Sequence, residues 1–429
     1  MCVLKRIVAA LVLLVAVPAV SLAQATIAGT VRDSSGSVLP GVTVEASSAA
    51  LIEKVRGAIT DGTGQFRIVD LRPGAYVVTF TLPGFSTVRR EGIELAGSFT
   101  STVNVELSVG AIEETVTVTG ESPIVDVQGT TRQRVLDQEV ISALPTGRNQ
   151  FNLGVLIPGM SVSGSPDIGG SVGFDAATVL TVHGSKNDNQ RLTQNGVVMN
   201  APVAGGYGGA HEPNPSATQE FTIDYSGISA ELAEGGVRIN SIPKDGGNVF
   251  RGTIFGSFAN DTFQGDNFTD DLRTRGLRYG NPIDRNWDFN PGYGGPIRRD
   301  RLWFYASYRY NGAWNYVPGM FFNRNTNNPA AWTYEPDLSK PISRQHTYST
   351  GSARFTLQAT EQHKFAFSYQ GQVYCQCANG VSATTAPEAG YERRWPMMNS
   401  WVTEWTAPMT NRLLLEGVAL HSEQRWAHS

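Results

Sequence analysis

Gln362-His363-Lys364-Phe365-Ala366-Phe367-Ser368-Tyr369-Gln370-Gly371-Gln372-Val373-Tyr374 decides how the second half of this chain is read. Successive side chains of an extended strand point to opposite faces. Phe365, Phe367, Tyr369 and Val373 therefore share one face, and Ser368, Gln370 and Gln372 the other. His346 to Gln358 does the same, with Ala353, Phe355 and Leu357 opposing Ser352, Arg354, Thr356 and Gln358. Only a few polar residues part the two runs, so they read as neighbouring strands. Asn286 to Gly294 and Arg301 to Asn311 repeat the layout around Pro296 and Arg298-Arg299-Asp300, and Phe250, Ile254 and Phe258 oppose Arg251, Thr253 and Ser257. Apolar-out, polar-in alternation over about ten residues, rich in aromatics, is the signature of transmembrane barrel strands. A soluble half-buried sheet alternates in the same way, so the weight lies in the recurrence. Short turns on one side and a long Asn/Gly/Pro loop, Asn311 to Arg344, on the other match the asymmetry of outer-membrane barrels. Arg412 to Leu420 alternates poorly and is the weakest of about seven strands expected after Phe250.

The start of the chain sets the compartment. Lys5 and Arg6 precede an apolar run, Ile7 to Val20, broken only by Pro18, and Ser21-Leu22-Ala23 offers small residues for a signal peptidase. This is the layout of a secretory signal spanning residues 1–23, too short to cross a bilayer. No other stretch reaches the roughly 20 apolar residues of a helical span. A membrane-embedded chain of this sequence must then be a β-barrel, the other structure that satisfies its backbone in lipid. Charged residues are 17% and Gly is 46 of 429, which suits many short strands joined by tight turns. A net charge of −4 without a Lys/Arg block gives no argument for nucleic acid. Cleavage after Ala23 leaves Cys375 and Cys377, whose spacing on a strand predicts strain in any disulfide between them.

Residues 24–108 read as a β-sandwich of roughly seven strands. Thr26-Ile27-Ala28-Gly29-Thr30-Val31, Val42 to Ala46, Gln65 to Ile68, Tyr76 to Phe80 and Ser101 to Leu107 are extended runs, separated by turns such as Asp33 to Gly36, Thr60 to Gly64 and Leu71 to Gly74. Residues 109–248 change character. Glu113-Glu114 leads into the alternating Thr115-Val116-Thr117-Val118-Thr119, and Leu136, Val140, Ile141 and Leu144 have helical spacing up to Pro145. Gly-rich turns such as Gly205 to Gly209 and short strands such as Val179 to Val182 and Gly196 to Met199 complete a mixed α/β globule.

Two resemblances follow from these residues. Gly29-Thr30-Val31, Pro40 to Val44, Thr60 to Phe66 and Leu71-Arg72-Pro73-Gly74-Ala75-Tyr76 resemble the carboxypeptidase-regulatory-like domain, a transthyretin-like sandwich that is an accessory without catalytic zinc. The middle segment is similar to the plug of TonB-dependent receptors. The residues that carry this are Ala143 to Asn149, Val182-His183-Gly184-Ser185, Asn195 to Val198, Gln219-Glu220-Phe221, Ala230-Glu231, Gly235 to Asn240, and Lys244-Asp245-Gly246-Gly247-Asn248-Val249-Phe250-Arg251-Gly252. The arginine-glycine-proline segment usual in that family is replaced by Tyr225-Ser226-Gly227-Ile228.

The resemblance implies a mainly β chain with four parts: signal peptide 1–23, sandwich 24–108, TonB-box-like segment and plug 109–248, and the first strands of a barrel over 249–429. It implies a receptor of the outer membrane of a Gram-negative bacterium, with the sandwich and plug on the periplasmic side. It also implies transport of a scarce siderophore, cobalamin, glycan or peptide, with energy relayed through TonB. The expected partners are the TonB C-terminal domain, outer-membrane lipid, the barrel-assembly machinery and that ligand; no cofactor or metal is expected. Glu114, Thr115, Val116, Thr117, Val118 and Thr119 are the expected TonB contact, since an alternating extended segment adds readily to a partner's sheet edge. Tyr207 and His211, in the Gly-rich loop Ala204 to His211, are the expected ligand-facing plug residues. Barrels of this family have 22 strands, and an open sheet would leave unpaired edges in hydrocarbon, so the sequence is expected to be a piece of a longer reading frame.

The rival readings are an enzyme and a surface-exposed β-sandwich adhesin or ligand-binding protein without transport. The six histidines have no metalloprotease spacing, His211-Glu212 runs into the helix-breaking Pro213, and no Gly-x-Ser-x-Gly elbow occurs. The plug-like middle segment counts against the adhesin.

Overall fold

The computed structural model describes residues 25–428 except 49, 52–53, 96–99, 111–114, 120–131, 145–147, 164–178, 187–188, 201–211, 229–234, 266–267, 279, 281, 383 and 411–412. The signal peptide, Glu114, Tyr207 and His211 lie outside the described residues.

The N-terminal strands are β1 (Ala25–Asp33), β2 (Thr43–Ser47), β3 (Val55–Ile59), β4 (Gln65–Leu71), β5 (Gly74–Thr81), β6 (Thr87–Leu95), β7 (Thr100–Thr102), β8 (Val105–Leu107) and β9 (Thr115–Thr119). They form two sheets. In one, β1 pairs with β4 on one side and with β7 and β8 on the other; the second runs β3-β2-β5-β6-β9. Alternate residues of β2, β4, β5 and β8 point inward, so Val44, Ala46, Phe66, Ile68, Tyr76, Val78, Phe80 and Leu107, with Ile93 of β6, make one apolar core, closed by an edge-on contact of Phe66 with Phe80 at 5.4 Å. The run Ser101 to Leu107 is broken into two strands by Val103, whose N–H bonds to the Ala28 carbonyl. A Cβ on Gly29 would overlap the Val103 carbonyl oxygen, so this close approach requires glycine. β3 and β6 escaped the sequence reading because Val55-Arg56-Gly57-Ala58-Ile59 and the charged Thr87 to Leu95 alternate weakly.

The middle of the chain contains β10 (Arg132–Asp137), α1 (Gln138–Ala143), α2 (Gln150–Gly154), β11 (Met160–Val162), β12 (Leu180–Val182), β13 (Arg191–Gln194), β14 (Val197–Val198), β15 (Thr218–Ser226) and β16 (Arg238–Pro243). The order β10-β15-β16-β13-β14 forms a central sheet, with β11-β12 a separate pair. The expected helix from Leu136 is shorter than its apolar spacing implies. Leu136 belongs to β10, opposite Phe221, and α1 begins after Asp137, whose carboxylate accepts the Val140 N–H. That N-cap fixes the start and the strand pairing overrides the helical pattern before it.

The remaining strands are β17 (Arg251–Asn260), β18 (Ile283–Arg298), β19 (Leu302–Asn323), β20 (Pro336–Gln358), β21 (Lys364–Asn379), β22 (Tyr391–Thr410) and β23 (Leu413–His428), with the short helix α3 (Asp270–Thr274) before β18. They pair in chain order, every pair antiparallel, as one seven-stranded barrel-like sheet. Phe355, Leu357, Phe365, Phe367 and Val373 are exposed on one face, while Arg354, Thr356, Ser368, Gln370 and Gln372 are buried on the other. The strands run past the expected ten residues. The loop anticipated from Asn311 to Arg344 is mostly strand, leaving 324–335 as the connection, and Leu413 to His428 forms a strand despite its poor alternation. The β18–β19, β20–β21 and β22–β23 junctions lie at one end of the sheet, and the longer β17–β18, β19–β20 and β21–β22 intervals at the other.

Cys375 and Cys377, whose spacing predicts strain in such a bond, are joined as a disulfide. Their Cα atoms lie 5.5 Å apart. The strand is irregular here: Ala378 has a positive φ, and the pairing with β22 shifts between Gln376 and Asn379.

Candidate functional site

The inward face of the barrel-like sheet is where the three parts of the chain meet. A sheet whose outer face is apolar places its charges on the other face, and here those charges meet the middle segment of the chain. Arg354 of β20 is the centre of one cluster. Its guanidinium donates to Asp245, on the segment leaving the plug, to Glu404 of β22 and to the Ser368 hydroxyl. Thr356 donates to the same Asp245 carboxylate at 2.8 Å, and Asn195 of the plug donates to both Glu404 oxygens at 3.0 and 3.2 Å. Gly246 lets this segment lie against β19, since a Cβ there would overlap the Phe304 carbonyl oxygen.

A second cluster is built on Arg309 of β19, which pairs with Asp288 of β18 at 2.8 Å and with Glu212 of the plug at 3.3 Å, all three buried. Burial pushes the Glu212 carboxyl above its ordinary value against the pull of Arg309. The Glu212 backbone is also clasped: its N–H donates to Gln372, and its carbonyl accepts from Gln370 and Gln372 at 2.8 and 2.9 Å. Asn214 donates to Ser307, Ser216 to the Asn290 carbonyl, and Tyr305 to the Ser216 carbonyl. Apolar contact adds to these bonds, because Tyr348, Tyr374, Trp395 and Met398 of the sheet share a core with Leu136, Phe221 and Ile223 of the plug.

The N-terminal sandwich joins the short-turn end of the sheet. Asp70 of β4 bonds Arg56 of β3 at 2.7 Å and Lys364, the first residue of β21, at 2.6 Å. Arg72 pairs with Asp245, so the sandwich touches the first cluster directly. Burial alone would raise the Asp70 carboxyl, but the Lys364 ammonium and the Arg56 guanidinium outweigh it and hold it below the ordinary aspartate value. A depressed folded value means that this contribution is complete above the unfolded pKa, about 3.9, and is lost as the pH falls through the folded value. Asp70→Asn should therefore weaken the attachment at pH 7 by about 1.5–3 kcal/mol. The loss should be read as faster hydrogen exchange at β4 and at the 359–363 turn, and the difference from the native chain should vanish in acid.

Of the residues singled out from sequence, Thr115–Thr119 form β9, paired parallel with β6 from Thr87↔Thr115 to Glu91↔Thr119. Glu212, the residue after His211 in the sequence, is buried against Arg309 of β19. Arg354 and Asn195 stood in the sequence argument for other reasons, whereas Asp70, Arg72, Glu212, Asp288, Arg309 and Glu404 were not singled out as interacting groups. A usable signal existed, namely isolated charges at inward positions of otherwise uncharged alternating strands. Cys375, Cys377 and Glu392 also converge. The cysteines are disulfide-bonded and Glu392 takes the Arg394 guanidinium, so these ligand atoms are already engaged.

The fold of β1 to β8 finds its match at the level of sequence. Residues 26–108 match the carboxypeptidase regulatory-like domain. The chain is also similar to the TonB-dependent transporter Oar of Myxococcus xanthus, 29% identical over 298 residues that cover 66% of this chain and 26% of that protein. It thus spans about a quarter of the length of that relative. Among solved structures, it is similar to the ferric yersiniabactin uptake receptor FyuA of Yersinia pestis (13% identity, TM-score 0.48, 70% of this chain and 41% of that one). It is similar too to the siderophore receptor PirA of Acinetobacter baumannii (14% identity, TM-score 0.46, 68% and 39%). No described helix is long and apolar enough to cross a membrane.

Proposed function

We propose that this chain works as part of a TonB-dependent outer-membrane receptor that takes up a scarce ligand, a siderophore, cobalamin, glycan or peptide, with energy relayed through TonB. The observation that carries this reading is the plug bonded to the inward polar face of a sheet whose other face is apolar. A plug held by many polar contacts can be loosened without exposing a large apolar core to water, which is what a gated pore requires. The division into a sandwich at 24–108, a TonB-box-like segment and plug at 109–248 and barrel strands from 249 belongs to the same proposal. So does the orientation: short turns face the periplasm in outer-membrane barrels, and the sandwich attaches at the short-turn end through Asp70 and Lys364. Similarity to a transporter favours transport over enzymatic activity.

Glu114 to Thr119 is the segment we assign to TonB, because its alternating Thr and Val residues pair as a strand and precede the plug. Backbone hydrogen bonds then supply the grip. A peptide of residues 112–121 should bind the TonB C-terminal domain, and Val116→Pro or Val118→Pro should abolish binding by removing a donor and fixing φ. Equal binding of native and proline peptides in a titration would defeat the assignment.

A further inference from the structure

β9 is the last strand of its sheet. In the order β3-β2-β5-β6-β9 no described strand lies beyond it. Its pairing with β6 runs for five residues without a shift in register. A strand carries N–H and C=O groups along both edges, and β6 occupies only one edge of β9. Natural sheets usually blunt such an edge with proline, charge or a bulge. Thr115-Val116-Thr117-Val118-Thr119 has no proline and no charge, and its register is regular. The sheet behind it is backed by the sandwich core, and the sandwich is tied to the barrel rim and plug through Asp70–Lys364 and Arg72–Asp245.

We propose that the sandwich presents Thr115–Thr119 as a ready-made edge strand, and that an extended strand of a periplasmic partner adds to the outer edge of β9 while β9 stays on β6. The occupant is a strand with its own open edge, the TonB C-terminal domain under the reading above, on which this inference rests. Sandwich and partner then share one continuous sheet. Holding the segment extended beforehand removes its ordering cost from the binding step. It also changes the path of a pull: force on the partner enters the sandwich first and reaches the plug through Arg72–Asp245 as well as along the chain. The competing geometry is displacement, in which the segment must leave β6 before a partner can take it.

A disulfide pin separates the two. Arg89 is exposed on β6 and lies in register with Thr117, within the reach that cross-strand disulfides need. The full chain carrying Cys2→Ser, Cys375→Ser, Cys377→Ser, Arg89→Cys and Thr117→Cys, in detergent, is oxidised, checked for the new bond by mass, and titrated with the TonB C-terminal domain. The proposal predicts that the bond forms and that Kd changes by less than about twofold between oxidised and reduced chains. A loss of about tenfold or more on oxidation, a 1.4 kcal/mol effect, overturns it while leaving the TonB assignment standing. Failure of the bond to form overturns the β6–β9 pairing itself. Failure of both forms to bind removes the TonB assignment and this partner with it.

Discussion

Replacing Arg354 with alanine should loosen the plug from the barrel wall at a cost of about 3–5 kcal/mol, the range for breaking a buried ion pair by removing one partner. The size follows from what stays behind. Glu404 is buried and loses the guanidinium that compensates it, and Asp245, also buried, loses one of its two and is left with Arg72. Ser368 loses its donor as well. Arg354→Lys should recover only part of this, because an ammonium cannot reproduce the forked contact to two carboxylates. The readout is the urea concentration at which the segment 132–243 becomes protease-sensitive in the protein in membranes. Arg324→Ala is the control: its pair with Glu335 is solvent-exposed, so the expected change is under about 1 kcal/mol. An Arg354→Ala plug as resistant as the native one would mean that this cluster does not hold the plug.

The second large effect concerns the outward face. Phe367→Arg should cost more barrel stability than Leu357→Arg, beside the short turn 359–363, because the penalty for a charge falls from about 2–4 kcal/mol at mid-membrane to about 0–1 kcal/mol at the interface. Both side chains point outward, and Phe367 sits directly opposite Phe355 across the β20–β21 pair. Alternation alone marks Ser368 as a tolerant inward position for arginine. The structure corrects that: Ser368 is buried and bonded to Arg354, so a second guanidinium there would crowd the first. Assembly and unfolding of the variants in membranes measure the difference. Equal penalties at Phe367 and Leu357 would remove the depth dependence that lipid imposes.

The barrel-like strands were legible because a period of two survives in any single strand. Phe365, Phe367 and Val373 face outward, as their spacing requires. Strand ends were less legible. Pairing is cooperative between neighbours, so β19 continues through Pro318 and Gly319 and β20 through Pro341, residues that read locally as turns, and loop 324–335 is shorter than composition implies. Leu136 shows the same limit: its helical spacing to Val140 is real, but pairing with Phe221 holds it in a strand. The contacts between parts were least visible. Asp70 and Lys364 are 294 residues apart, and neither residue alone announces its partner. Residues 115–119 were legible as a strand, but their place on β6 depends on a parallel pairing that no local pattern specifies.

The account stands on β17 to β23 being a membrane wall with the plug on its inward side. Nitroxide labels placed singly at residues 365 to 373 of β21, in the protein in outer membranes, test this by collision with oxygen and with a water-soluble nickel chelate. Oxygen partitions into lipid, so the odd-numbered positions should show high oxygen accessibility. The even-numbered positions, packed against the plug, should be shielded from both reagents. A period of two with those phases is the predicted result. Equal access of the nickel chelate to positions 365, 367 and 373, or oxygen access that does not alternate, would contradict it.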